Sequence, residues 1–363
     1  MSSTVDVAPK NQTESSAAKG EALIPTARGD AVPASQLGLV NAAELIIQSS
    51  PEVMSDWPDQ SWGALPEEQQ IAKVVAVLNH AHAGGVGAII DRTIPGVGRD
   101  VARMKKIALQ TQLNILVTTG YYALYNLPYY WRYLQEMPEK YPHKPKLHDL
   151  LARDVTHGVG NTGVRAVAIK VASDKWGLEE TPDLRGLFKS TSIAHRISGG
   201  PITTHGVGIA DALRHQNVFA AEGVDLTRVL LGHMDRSANE SPLDDFVRAL
   251  DRGSYISFDG WFPAGPNPLA SDPGGPEDSL RRIASLVQKG YAQQIVLSGG
   301  WPIAFYDIFA DDFFPDDGVE PYMRVIDKVI PGLRAHGVSD ANIHLMTHVN
   351  AQRYLSSRAK GGY

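Results

Sequence analysis

The run Val164-Arg165-Ala166-Val167-Ala168-Ile169-Lys170 reads as a β-strand, with Val164, Ala166, Ala168 and Lys170 alternating onto one face. Its last residue is a lysine at a place where a buried strand should carry none. An ammonium group is costly to strip of water, so such a lysine either meets solvent at the strand end or has a chemical task. The choice depends on what the other strands carry at their ends.

Outward from this run, strand-type segments recur at 36–45, 86–91, 113–118, 201–204, 228–231, 255–258 and 294–297. Helical periodicity falls between them, at 66–82, 99–110, 183–198, 209–222, 242–252, 276–289 and 322–336. The first of these helices opens on Pro66-Glu67-Glu68 and stops at Gly84-Gly85. Eight strands, seven of them followed by a helix, predict a parallel sheet with helices outside, closed as a (β/α)8 TIM barrel of the α/β class. The glycine-rich pieces Gly84-Gly85-Val86-Gly87 and Gly96-Val97-Gly98 lack the strand-GxGxxG-helix context of a dinucleotide site. Two long connections, 121–146 after the third strand and 261–276 after the seventh, fall on the C-terminal face, where barrels build their sites.

The chain has 363 residues, of which 43% are hydrophobic, enough for one large barrel domain. Residues 1–29 are rich in Ser, Ala, Thr and Lys, without the apolar core of a secretory leader. They are expected to form a disordered tail ahead of a single domain over 30–363, in a cytoplasmic protein. A net charge of -6 without a long basic cluster argues against nucleic acid and anionic membrane as partners. The absence of cysteine excludes disulfides, thiolate nucleophiles and sulfur-ligated metal sites.

In a barrel the strand ends converge on one cavity. Lys170, His205 in Thr203-Thr204-His205 and His233 in Leu231-Gly232-His233 end three successive strands, and all are suited to holding a metal. These segments resemble the phosphotriesterase family of the amidohydrolase superfamily, closest to its phosphotriesterase-like lactonases. So do Asp91-Arg92-Thr93, Gly96-Val97-Gly98-Arg99-Asp100, Thr118-Thr119-Gly120-Tyr121-Tyr122 and Arg153-Asp154-Val155-Thr156-His157-Gly158, with Pro128-Tyr129-Tyr130 and Gly361-Gly362-Tyr363. The resemblance implies two divalent metals, usually zinc, bridged by a carboxylated lysine and a hydroxide. Lys170 would be that N6-carboxylysine, with His205 and His233 holding the more exposed ion.

The resemblance breaks at the buried ion. Where the family has His-x-His at the end of its first strand, this chain has Ala43 and Leu45 around Glu44. Period two places Ala43 and Leu45 on the cavity side and turns Glu44 away. Gly300 stands where the last strand should supply an aspartate, and Asp259-Gly260-Trp261 lacks the arginine that follows Asp in the lactonase branch. His80-Ala81-His82 lies at the wrong end of a helix to replace the lost ligands.

The expected function is hydrolysis of a lactone, ester or related small molecule, with at most one metal, zinc, on Lys170, His205 and His233. Asp91, Asp235 and Asp259 are the alternatives for the base, beside Lys170. Tyr122, Trp261 and Trp301 are expected to bind substrate in an aromatic pocket. A homodimer is implied by the resemblance. The competing reading is a barrel that has lost hydrolysis and either binds a ligand or runs a metal-independent isomerisation or cyclisation.

Overall fold

The structure, a computed structural model, describes residues 21–357 apart from 51–54, 58, 60–64, 124–125, 174–176, 178–180, 207, 239–240, 262–274, 301 and 307–318. It is the (β/α)8 barrel expected. The barrel strands are β1 (Leu39–Ser49), β2 (Val86–Asp91), β3 in two pieces (Asn114–Val117 and Thr119–Tyr121) and β4 (Ile169–Ala172). They continue as β5 (Ile202–His205), β6 (Val229–Leu231), β7 (Tyr255–Phe258) and β8 (Ile295–Leu297). Parallel ladders join β1 to β2 and β2 to the first piece of β3, and its second piece to β4 and onward to β8. The seam between β8 and β1 is bridged by a side chain, the Ser298 hydroxyl accepting from Ala43 N at 2.9 Å.

The crossovers are α1 (Glu67–Ala83), α2 (Val101–Ala108), α3 (Tyr129–Glu136), α4 (Leu147–Thr156), α5 (Pro182–Ser198), α6 (Ile209–Ala221), α7 (Leu243–Asp251) and α8 (Gly275–Gln288). Their starts follow local chemistry: Asp100 caps α2 by accepting from Arg103 N, and α1 carries Glu67 and Glu68 in its first turn. Helix α1 buries Ile71, Val74 and Leu78 against the sheet and ends with His80 and His82 in its last turn, away from the strand ends. Among the described residues, no helix is long and apolar enough to cross a membrane.

Inside the barrel, Val40, Ala42, Ala88, Ile90, Leu116, Ala168, Leu230 and Val296 form one apolar layer. Its floor is closed by Tyr354 and Leu355 from the last helical turns, and by Ile24 and Leu37 from the N-terminal segment. That segment corrects the expected boundary at residue 29. Leu23–Pro25 already pairs with Ala31–Pro33, and Ala27 N donates to Ile115 O at 2.8 Å, so ordered structure begins upstream of it.

Two further expectations change. The decisive run is a strand only from Ile169, because at Val164 and Ala166 the backbone bonds outside the barrel ladder: Val164 O accepts from Val159 N at 2.9 Å and Ala166 N donates to Asp154 O at 2.9 Å. Strand β1 starts at Leu39, later than the expected 36, and its register against β2 shifts between Asn41 and Glu44. A bulge of this kind breaks period-two alternation, and the orientation expected for Glu44 fails with it.

Candidate active site

Lys170 is buried at 4% exposure, and its Nζ donates to Arg92 O at 3.1 Å while lying 5.7 Å from the centre of the Tyr122 ring. Burial, reinforced by the Arg92 guanidinium, lowers its pKa from 10.5 to about 7 against the opposing pull of Asp91 and Asp259. In the sheet register Lys170 is level with Thr203, while His205 is level with Ala172, so the lysine sits deeper than the histidine.

His205 and His233 meet directly: Nδ1 of the first and Nε2 of the second are 2.6 Å apart, with the rings edge to face. His233 follows β6 in left-handed backbone, φ 60°, an arrangement disfavoured for a residue with a Cβ. Behind it, Asp259 Oδ1 lies 2.6 Å from His233 Nδ1. Asp259 is wholly buried at the end of β7; its other oxygen accepts from Ser257 Oγ at 2.6 Å and faces Arg92 Nη1 at 3.5 Å. Burial alone would raise its pKa, but the His233 ring and the Arg92 guanidinium outweigh this and hold it well below the usual carboxylate range.

Asp235 joins the group from the turn after β6. Its Oδ1 accepts from Asp259 N at 3.0 Å, and among the described residues its buried Oδ2 has no hydrogen-bond partner. Ligand-type atoms of His233, Asp235 and Asp259 all lie within 4.8 Å of one another. Nitrogen and carboxylate donors in this arrangement suit a first-row divalent ion. A carboxylate behind the second nitrogen of an imidazole is the arrangement that fixes a histidine ligand.

The other candidates fall into place around this cluster. Tyr122 is half-buried, its ring 5.4 Å from that of His205 and edge-on. Trp261 is 3% exposed and donates from Nε1 to Ser298 O at 2.7 Å, tying the end of β7 to the end of β8. Trp301 lies outside the described residues. Asp91 is committed to the scaffold: its Oδ1 accepts from Thr93 Oγ1 at 2.7 Å, Thr93 N at 3.2 Å and Ile46 N at 3.1 Å.

Glu44 corrects the expected geometry. Its carboxylate reaches the end of β8, accepting from Ser298 Oγ at 2.5 Å, Gly299 N at 2.7 Å and Gly300 N at 2.9 Å. Burial raises its pKa from 4.5 to about 7 in spite of these donors. With Ala43 buried and Gly300 lacking a side chain, the described ends of β1 and β8 offer no ligand set for a second ion.

The sequence reading also missed Arg92. Ala88, Ile90 and Arg92 share the inward face at the end of β2, a period-two signal that was available. The guanidinium is 3% exposed and stands against Asp259 and Gly232.

The profile of the phosphotriesterase family matches residues 23–355. The phosphotriesterase homology protein of Mycobacterium tuberculosis is 32% identical over 341 residues, covering 93% of this chain and 98% of its own. The aryldialkylphosphatase of Saccharolobus solfataricus is 25% identical over 338 residues, covering 92% and 99%. The solved structure of the phosphotriesterase from Mycobacterium tuberculosis superposes with a TM-score of 0.79 at 28% identity, covering 92% of this chain and 98% of that one. In sequence over nearly its whole length, and in fold, this chain belongs to the phosphotriesterase family.

Proposed function

We propose that the chain is a divergent hydrolase of its family, acting on a lactone, ester or related small molecule at a site for one metal ion, most fittingly zinc. His205 and His233 would hold the ion with Lys170, carboxylated at Nζ, as third ligand. The observation that carries this reading is the contact of His233 with His205 on one ring nitrogen and Asp259 on the other, both at 2.6 Å. When bound, the ion would polarise the scissile carbonyl or phosphoryl oxygen and acidify water beside it.

The residues have separable tasks. Asp259, 2.6 Å from Nδ1, would orient the His233 ring, and Nε2, which here faces His205 Nδ1, would be the nitrogen offered to the ion. Asp235, whose buried Oδ2 has no hydrogen-bond partner among the described residues, would hold a proton during water attack. Tyr122, against His205 and Lys170, lines the substrate side. A second copy of the chain is the expected partner, docking on the exposed Tyr129, Tyr130 and Tyr133 of α3.

The test is metal content together with lactone and phosphotriester assays on the wild type, His205→Ala and His233→Ala. One ion per chain, lost with turnover in both variants, is expected. A wild-type chain without metal, and without turnover after addition of zinc, manganese or cobalt, overturns the reading in favour of a non-hydrolytic barrel.

A further inference from the structure

Among the described residues the ends of β1 and β8 offer no ligand set for a second ion, yet the space inside the barrel is not left to apolar side chains. The guanidinium of Arg92 extends from the end of β2 across to the opposite wall. Its Nη1 is 3.5 Å from Asp259 Oδ2 on β7, and a Cβ placed on Gly232 at the end of β6 would lie 3.1 Å from that nitrogen. Its field is felt by Lys170 on β4 and Tyr354 on the barrel floor, and it feels that of Glu44 on β1. The residue therefore sits among the strand ends that meet around the site.

A guanidinium placed for scaffolding has its donors filled, because a buried donor without a partner is costly. Arg92 does not fit that pattern. It makes one long ion pair, and among the described residues its buried Nε and Nη2 have no hydrogen-bond partner. What it supplies is charge. Glu44, Asp91, Asp235 and Asp259 are four buried carboxyl groups around the mouth, and an arginine stays protonated wherever it is buried.

We propose that Arg92 is the resident cation of this barrel, taking the electrostatic place of the second metal and making the site mononuclear by construction. The proposal rests on the single-metal reading above. A fixed guanidinium repels a second divalent ion at short range and leaves His205 and His233 free to hold the first. It also accounts together for two features of the sequence: ligands missing at Ala43, Leu45 and Gly300, and a buried arginine facing inward at the end of β2.

The experiment compares the wild type with Arg92→Lys, which keeps the charge, and Arg92→Gln, which removes it. Each folded protein is titrated with manganese, and bound ions per chain are counted and examined by electron paramagnetic resonance. Wild type and Arg92→Lys should saturate without any spin-coupled pair. Arg92→Gln should bind manganese about tenfold more tightly. A spin-coupled pair in the wild type overturns the proposal even if Arg92→Gln fails to fold, as does a folded Arg92→Gln that titrates like the wild type. A wild type that binds no manganese sinks the hydrolase reading instead, and a gain of metal by Arg92→Gln would still sustain the role of Arg92.

Discussion

His233 Nδ1 and Asp259 Oδ1 lie 2.6 Å apart at the ends of neighbouring strands, with the opposite nitrogen of the same ring 2.6 Å from His205 Nδ1. One imidazole is thus held from behind by a buried anion and presented forward to a second imidazole. Asp259→Asn keeps the shape and removes the charge. Loss of such a supporting carboxylate costs metal affinity about 10- to 100-fold, to be read by competition with a chromophoric chelator. Far-ultraviolet circular dichroism should be unchanged, since Ser257 Oγ can still donate to the amide oxygen.

Glu44 and Lys170 contribute to the pH dependence of stability with opposite signs. The background is set by the buried His195 and His215, whose pKa values are lowered by burial to about 4 and about 3, so their contributions are complete above pH 6.5 and lost as pH falls. Burial raises the Glu44 carboxyl from 4.5 to about 7 and that of Asp91 from 3.8 to about 6, so the folded chain holds protons there that the unfolded chain has released. Their contribution is complete below the unfolded values and is lost as pH rises through the folded ones, a loss of roughly 3 kcal/mol for Glu44 at most. Lys170 has the opposite sign. Its pKa falls from 10.5 to about 7, so its contribution is complete only above pH 10.5 and is lost as pH falls to 7. Urea midpoints from pH 4 to 11 should be compared between wild type and variant: the Glu44→Gln difference should change between about pH 4.5 and 7, and the Lys170→Met difference between about pH 7 and 10.5. A Lys170→Met difference that stays constant over the alkaline range identifies Lys170 as carboxylated.

Restoring the lost carboxylate by Gly300→Asp should fail. Gly300 has φ 85°, and a Cβ built on it would lie 1.6 Å from Asp259 O. Its amide also donates to Glu44. The substitution therefore strains the backbone and pushes β7 from β8, and a loss of more than about 3 kcal/mol is expected. Thermal melting checks it: a variant that melts with the wild type and binds an additional ion would contradict this structure at the β8 end. Reconstruction of a binuclear site has to begin from the backbone rather than from one ligand.

How much of this was legible in the sequence divides along one physical line. Elements set by local chemistry were readable: helix α5 was expected over 183–198 and runs over Pro182–Ser198, and β7 was placed at its observed bounds. Strand ends were readable for the same reason, and His205 and His233 do converge. Features decided by the closing of the barrel were not. The register shift in β1 depends on its partner strand, so counting by twos turned Glu44 the wrong way. The hairpin at Leu23–Pro25 packs on the barrel floor, a contact invisible in a polar segment read alone. Arg92 was in plain view on the face of Ala88 and Ile90, hidden by the habit of expecting an arginine outside.

The motifs shared with the family are not all chemistry, and one pair separates the two roles. Arg99 of Gly98-Arg99-Asp100 donates to Asp154 of Arg153-Asp154-Val155 at 2.8 Å, and Thr119 Oγ1 donates to the same carboxylate oxygen at 2.7 Å. The contact ties the start of α2 to β3 and α4, away from His205 and His233, and both partners are largely withdrawn from solvent. Removing one member of a buried pair leaves the other charge uncompensated, so Asp154→Asn should cost about 3 kcal/mol in urea denaturation. Metal stoichiometry at saturation should stay that of the wild type in the folded fraction. A loss of metal without a loss of stability would move Asp154 from the scaffold to the site.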